Sequence, residues 1–243
     1  MGRTVLVTGG TSGIGRAVAA RFAADGAEVV ITGRRPDTVA PAAAELGVRG
    51  VACDASQPGQ VAALAAELAT ELAGSLDVLV NAAGGLPPAP DTGTPPLEAV
   101  AREWLASVSA NVLTAVLTTA AFRDRLARGG TVVSIGSIGA ERRGGSYGAA
   151  KAALAAWNAT LAADLGPRDV TCNVISSGYV AGTAFFGDGM TAERHRALVE
   201  ETLLKRPGTP GDLAETVFFL ASPGARHITG QTIHVNGGAF TTR

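Results

Sequence analysis

Tyr147 and Lys151 stand four residues apart at the head of a long Ala-rich stretch. In a helix that spacing puts both side chains on one face. The chemistry open to such a pair is proton transfer. A free phenol has a pKa of about 10, too high for acid–base work at neutral pH. A nearby ammonium stabilises the phenolate and lowers that value. A lone Tyr-x3-Lys pair is common and usually structural, so its meaning depends on its surroundings.

A second candidate site lies near the N-terminus. The run Thr8-Gly9-Gly10-Thr11-Ser12-Gly13-Ile14-Gly15 follows an apolar strand-like segment and opens a helix-like one. Glycine lets the backbone turn tightly and approach a ligand closely. A helix N-terminus offers free N–H groups and the positive end of its dipole to a pyrophosphate. An ordinary tight turn reads the same way in isolation; the strand–turn–helix context at the start of the chain is what favours a dinucleotide.

The next strand-like segment ends in Thr32-Gly33-Arg34-Arg35. A dinucleotide site for NAD usually has an acid here, to bind the ribose hydroxyls. Gly33 takes that place, and Arg34 and Arg35 follow. A guanidinium can grip a 2′-phosphate in bidentate fashion, so the pattern favours NADP(H), against the plainer reading of two solvated loop charges. Asp54, after the third strand-like run, fits either a contact to the adenine or a cap for the helix beginning near Gln57.

These residues need elements to position them. Thr4–Thr8, Glu28–Thr32, Gly50–Cys53, Val78–Asn81, Thr131–Ile135, Thr171–Ser176 and Thr232–Val235 read as strands. They are apolar on both faces, as parallel strands covered by helices are. Helices are expected over Gly13–Asp25, Asp37–Leu46, Gln57–Leu72, Leu97–Arg128, Tyr147–Leu165 and Pro210–Ala221. The alternation predicts an α/β fold: a single-domain, Rossmann-type, doubly wound parallel sheet of about seven strands with helices on both faces. One domain is expected over residues 1–243, with a substrate lid inserted at about 182–205. Two segments resist the pattern. Gly84–Pro96 holds five prolines and cannot be regular. Gly182–Lys205 begins Gly-rich and continues as a polar helix, as excursions that close over substrates often do.

Bulk properties exclude several classes. Of 243 residues, 47% are hydrophobic, and 20 basic residues face 21 acidic ones for a net charge of -1. Neither that balance nor any Lys/Arg-rich run favours nucleic acid. Cys53 and Cys172 sit among apolar residues and read as reduced core thiols. His195, His227 and His234 lack ligand spacing, so no metal site is expected. The start reads directly as a strand and not as a secretory leader. No uninterrupted apolar stretch is long enough for a bilayer. A cytoplasmic protein with no membrane or nucleic-acid partner is expected.

Taken in order, these motifs resemble the short-chain dehydrogenase/reductase family from about Arg3 to Gly238, in its single-domain 3-oxoacyl reductase-like form. The glycine turn has the family's Gly-x-x-x-Gly-x-Gly spacing. Asn81-Ala82-Ala83-Gly84 resembles its segment after strand four, and Asn236-Gly237-Gly238 its C-terminal signature. The resemblance implies catalytic roles for Asn111, Ser137, Tyr147 and Lys151. Tyr147 would give a proton to the substrate oxygen while Ser137 hydrogen-bonds it. Lys151 would also hold the nicotinamide ribose, and Asn111 would hold a water linking Lys151 to solvent. For Asn111 the alternative is a buried polar residue bonded to helix backbone. The cofactor would lie on Gly9, Thr11, Ser12, Gly13, Ile14, Gly15, Arg34, Arg35, Asp54, Asn81, Ala82, Gly84, Tyr147, Lys151, Gly178, Val180 and Thr183. A homotetramer or dimer is implied, joined through the helices carrying Asn111 and Tyr147.

The chain departs from that family in two places. The usual Ser-to-Tyr interval fits Ser134, thirteen residues before Tyr147, better than Ser137. Ligands, however, bind beyond the carboxyl ends of parallel strands, and Ser134 falls inside the expected strand while Ser137 falls past its end. The family's Pro-Gly after strand six is here Ser177-Gly178, and loss of the proline should loosen a loop that runs under the nicotinamide. The function expected is NADPH-dependent reduction of a ketone, of the 3-oxoacyl or polyketide-like kind, to a secondary alcohol. An oxidative alcohol or sugar dehydrogenase and a non-catalytic NADPH-binding regulator are the alternatives. Substrate choice should lie in Gly85–Pro96, Glu141–Ser146 and Tyr179–Lys205, where Phe185, Phe186 and Met190 could line an apolar pocket.

Overall fold

The computed structural model describes residues 2–71, 75–86, 96–142 and 144–242. Most of the Pro-rich stretch expected to face the substrate therefore lies outside the described residues. The chain begins β1 (Thr4–Thr8), α1 (Gly13–Ala24), β2 (Glu28–Gly33), α2 (Pro36–Leu46), β3 (Arg49–Ala52), α3 (Pro58–Glu71) and β4 (Leu76–Asn81). It continues α4 (Leu97–Val108), α5 (Thr114–Phe122), β5 (Leu126–Ser137), α6 (Gly145–Leu165), β6 (Thr171–Ser177), α7 (Ala192–Glu200), α8 (Pro210–Leu220) and β7 (Thr232–Val235). The seven strands form one sheet in the order β3-β2-β1-β4-β5-β6-β7, and every neighbouring pair is parallel.

The chain starts in the middle of the sheet, winds out to β3, then returns to lay β4 on the other side of β1. The crossovers on the two sides of β1 and β4 diverge, leaving a crevice at their carboxyl ends, where open α/β sheets bind ligands. The strands are apolar on both faces because each face has its own core. In β1, Val5 and Val7 pack with Val18, Phe22, Leu213 and Val217 from α1 and α8. Leu6, pointing the other way, packs with Leu64, Leu68, Phe122 and Leu161 from α3, α5 and α6. Period-two alternation distributes successive side chains between these layers. Cys53 and Cys172 are buried free thiols; burial raises both, Cys172 to about 12.

The structure corrects the sequence reading around residues 97–131. The single helix expected over Leu97–Arg128 is α4, a π-helical turn at Ser109–Leu113, α5 and a 3-10 turn at Arg123–Arg125. Strand β5 begins at Leu126, paired with Leu76, five residues before the expected start at Thr131. Arg128-Gly129-Gly130 looks like a loop locally; pairing with β4 overrides it, with an irregularity between Leu76 and Val78. The helical run Leu97–Arg125 has 29 residues and contains a stretch with a mean hydropathy of 1.6, enough by length and composition to cross a bilayer. Its α5 half is a core helix, however, with Thr114, Ala115, Thr118, Thr119 and Phe122 buried.

Candidate active site

The carboxyl ends of β1, β4, β5 and β6 bring the sequence motifs together. After β1 the glycine turn leads straight into α1. Ser12 is the N-cap in extended conformation, and its hydroxyl makes no capping bond. The first-turn N–H groups of a helix have no intrahelical partner, so Gly13, Ile14 and Gly15 present donors at the crevice. Gly15 is required by space: a Cβ there would lie 2.3 Å from the Gly9 carbonyl oxygen. Gly9, Thr11 and Gly33 close the same rim, Thr11 so near that a Cβ on Gly33 would meet its methyl at 2.7 Å. Thr183 reaches this turn from the far side, its methyl 3.5 Å from where a Gly13 Cβ would be. Its hydroxyl donates to the Val180 carbonyl at 3.2 Å.

Thr8 was not singled out from sequence, yet it organises the next loop. Its hydroxyl accepts from the backbone N–H of Ala82 and Ala83, both at 3.2 Å. Asn81 turns its side chain inward, donating to Thr119 at 3.0 Å and Ser134 at 3.4 Å. Its buried Oδ1 has no partner. Only the backbone of Asn81 is therefore at hand for a ligand.

Gly84 marks a close approach between the loop after β4 and the polar groups of the site. Its φ is +159°, and a Cβ would stand 2.6 Å from Asn111 Oδ1 and 3.3 Å from Lys151 Nζ. Asn111 is buried in the π turn. Its amide donates to the Gly85 carbonyl at 2.9 Å and the Ser107 carbonyl at 3.1 Å, and its Oδ1 accepts from Gly85 N–H at 3.0 Å. The plainer sequence reading, a buried polar residue bonded to helix backbone, fits these contacts, and the side chain also clamps the loop after β4. π turns recur at functional sites because they disturb the regular backbone ladder.

Ser137 is the last residue of β5, a correction to its expected place beyond the strand. Ser134 is fully buried and serves as acceptor for Asn81. Ser137 Oγ accepts from Gly139 N–H at 3.1 Å, and it stands close enough to the Tyr147 phenol to offset part of the rise in its pKa. Spacing favoured Ser134; the geometry brings Ser137 to Tyr147. The head of α6 is fixed by Ser146, whose hydroxyl lies 3.0 Å from that of Ser107 and donates to Glu103 at 2.6 Å.

The electrostatics differ from the sequence expectation. Lys151 is buried and donates to the Ile135 carbonyl at 2.8 Å. Among the described residues no carboxylate compensates it, and burial lowers its pKa to about 8. Its Nζ stands 5.7 Å from the Tyr147 ring centre. The phenol is raised to about 12 by burial, against a smaller lowering by Ser137. The ammonium was expected to lower it. It is instead drawn to Ile135, and desolvation of the phenolate dominates. In this state Tyr147 holds its proton and is a donor.

The remaining candidates lie on the rim. Arg34 and Arg35 are exposed, and neither side chain has a carboxylate partner among the described residues. Asp54 Oδ1 accepts from Ser56 N–H at 3.0 Å and its hydroxyl at 2.7 Å. It shapes the turn before α3 without capping that helix, which starts at Pro58. Gly178 N–H donates to the Val235 carbonyl at 3.1 Å. Ser177 donates to the Gly136 carbonyl at 3.1 Å, so a hydroxyl ties β6 to β5 at the place where a looser loop was expected. Val180 bridges Gly208. Above the site, Phe185 meets the Tyr147 ring edge-on at 5.4 Å.

The family model described as enoyl-(acyl carrier protein) reductase matches residues 9–240. A putative oxidoreductase of Mycobacterium tuberculosis is 36% identical, the alignment covering 97% of each chain. The 3-oxoacyl-acyl-carrier-protein reductase of Escherichia coli is 30% identical over 98% of each. A short-chain dehydrogenase from Burkholderia cenocepacia, solved in complex with NADP, superposes with a TM-score of 0.85 at 33% identity over 98% of each chain. A metagenomic blue fluorescent protein solved with NADPH gives 0.85 at 32% identity, covering 99% of this chain and 98% of the other. The family match over most of the chain and these identities over nearly its whole length show that the chain belongs to the short-chain dehydrogenase/reductase family of oxidoreductases.

Proposed function

We propose that this protein is an NADPH-dependent reductase that turns a ketone, of the 3-oxoacyl or polyketide-like kind, into a secondary alcohol. The observation that carries the reading is the protonated Tyr147 phenol, engaged by Ser137 and backed by buried Lys151, at the mouth of a glycine turn. The residues present suit a nicotinamide dinucleotide phosphate. A pyrophosphate fits where Gly15 excludes a Cβ and Ser12 leaves the helix uncapped. Arg34 and Arg35 suit a 2′-phosphate, and Gly33 supplies no repelling carboxylate. Ala82, Gly84, Gly178, Val180 and Thr183 border the nicotinamide end.

The cofactor, when bound, supplies hydride. Tyr147 gives its proton to the carbonyl oxygen as that oxygen gains charge. Ser137 donates a hydrogen bond to the same oxygen, so two O–H groups converge on it. Lys151, released from Ile135, holds the ribose and raises the acidity of the phenol. Asn111 anchors the loop of Gly84 and Gly85, and the π turn around it holds the water that returns a proton to Lys151.

We also assign the exposed apolar stripe of α4 to contact with a second copy of the chain. Leu97 is 82% exposed and Leu105 70%, with Trp104, Val108 and Leu113 beside them, a patch large enough to need cover. Light scattering should give a dimer or tetramer, and Leu105→Glu should reduce it to a smaller species. A clean monomer of the parent protein at micromolar concentration contradicts the assignment.

The function is tested by following NADPH oxidation at 340 nm (the nicotinamide absorbance, roughly) against a panel of 3-oxoacyl thioesters and simple ketones, with an enoyl thioester as comparison. Turnover of ketones with NADPH preferred over NADH is expected. Turnover of the enoyl substrate alone, or tight NADPH binding with no turnover, overturns the reading.

A further inference from the structure

The chain has two tyrosines, and both belong to one run of aromatic rings. From Tyr147 the run passes to Phe185 at 5.4 Å between ring centres, then Phe186 at 4.9 Å, Tyr179 at 6.0 Å and His195 at 5.6 Å. These are tilted or edge-on contacts, the favourable geometry for π systems. All five residues are half-buried, so the run is a wall with an open side. It starts at the proton donor and ends on a polar pair.

That pair is tight. The Tyr179 hydroxyl and His195 Nδ1 are 2.7 Å apart. A neutral imidazole that accepts at Nδ1 carries its proton on Nε2. With Tyr179 as the donor, His195 keeps its N–H on Nε2, and no group among the described residues bonds that nitrogen. Arg194 adds positive charge at the same end. Its guanidinium lies 4.7 Å from the Phe186 ring centre and bonds only the Gly189 carbonyl, at 3.4 Å. Arg196, by contrast, is paired with Glu193.

We propose that Tyr179 and His195 are a second recognition point for the substrate. The pair selects ketones whose apolar or aromatic body carries an acceptor oxygen at the end remote from the reacting carbonyl, a carboxylate more strongly than an ester. This rests on the ketone-reduction reading and adds the substrate class to it. The apolar wall discriminates only weakly between bodies of similar size, whereas a donor left unmatched when the site closes discriminates strongly. Phe185 and Phe186 accept the body, and His195 Nε2–H reads its far end.

The test uses aryl methyl ketones of one-ring and two-ring length, each ending in a methyl, a methyl ester or a carboxylate, with the full chain and NADPH. The wild-type protein should favour carboxylate over methyl by about tenfold in kcat/KM at one of the two lengths, with the ester between them, as for one charge-assisted hydrogen bond. Tyr179→Phe and His195→Leu should bring that ratio close to one, through KM for the carboxylate and not through kcat. His195→Gln, whose amide can place a donor near Nε2, should keep part of it. A purely structural role for the pair would shift all three ketones together and leave the ratio alone. A flat ratio in the wild-type protein, or one that survives both substitutions, overturns the proposal while leaving ketone reduction intact. If no ketone is reduced, the ketone reading itself has failed. Calorimetric titration of the carboxylate and methyl compounds into the protein with NADP+ then decides the recognition point: tighter carboxylate binding that Tyr179→Phe removes supports it, and equal affinities overturn it.

Discussion

Ser137, Asn111 and Lys151 are held from several sides, whereas the segment from Gly182 to Glu200 is held mainly at its ends. In the first region each polar group has a fixed partner: Gly139 for Ser137, Gly85 and Ser107 for Asn111, Ile135 for Lys151. In the second, α7 has no buried residue, and its inward contacts are rings resting on rings and the single Tyr179–His195 hydrogen bond. The base of the segment is firm. Val180 bridges Gly208, Leu203 and Leu204 N–H both bond the Gly237 carbonyl, and Arg142 pairs with Glu201 at 2.6 Å. The difference separates two tasks. Proton transfer needs preorganised groups, because a small misplacement costs rate steeply. Admission of substrate needs a part with a low local opening free energy. A lid in this molecule would be narrower than residues 182–205, since Thr202 is buried and the chain beyond it is tied down.

The strongest way to break the comparison is to disarm the fixed region without moving it. Tyr147→Phe should lower kcat by at least about a hundredfold, the usual size of an acid–base contribution, with little change in NADPH affinity by fluorescence titration. Retention of more than about a tenth of the turnover would show that the proton comes from elsewhere.

The cofactor rim lies between the two regions and should give a smaller effect. Arg34→Ala should weaken NADPH binding about tenfold, the scale of a charge-assisted bond, and leave NADH nearly unchanged. Adding Gly33→Asp should carry the preference over to NADH. Its new Cβ would meet the Thr11 methyl at 2.7 Å, so Thr11→Ser in the same background should improve the switch. NADPH affinity unchanged by Arg34→Ala sinks the assignment.

Lys151 offers a pH test of how firmly the fixed region is buried. Burial lowers its pKa to about 8, below that of a free lysine, so between those values the unfolded chain binds more protons than the folded one. Its contribution to stability is then complete above the free-lysine pKa and is lost as pH falls towards 8. Thermal melts from pH 8 to 10 should show the wild-type protein gaining stability relative to Lys151→Met. Parallel curves would show that Lys151 is solvated.

The smallest and most local effect is expected in the open segment. Amide exchange across residues 182–200 should be fast without ligand and slow on adding NADPH with a substrate analogue, while 202–208 stays protected throughout. Strong protection in both states would make α7 a fixed element and remove the contrast.

Much of this organisation is legible in the chain. The fold class follows from apolar strands alternating with Ala-rich helices, because two-sided burial leaves a pattern that local reading detects. The glycine turn and the Tyr147–Lys151 pair are legible because each requires residues at fixed short spacing. Spacing alone failed where contacts are long-range. It favoured Ser134 over Ser137, whereas Ser134 is buried and accepts from the Asn81 amide and Ser137 ends β5 on the side of Tyr147. The start of β5 was hidden because Gly129-Gly130 looks like a loop until Leu126 pairs with Leu76. The inward turn of Asn81, the support of Ala82 and Ala83 by Thr8, and the diversion of Lys151 to Ile135 are likewise absent from any local pattern. Each depends on two segments far apart in sequence meeting in a desolvated place, where an unpaired polar group is costly. The sequence by itself determined which groups could do the chemistry. The tertiary structure decided which of them meet, and that burial pushes the phenol's pKa up instead of down.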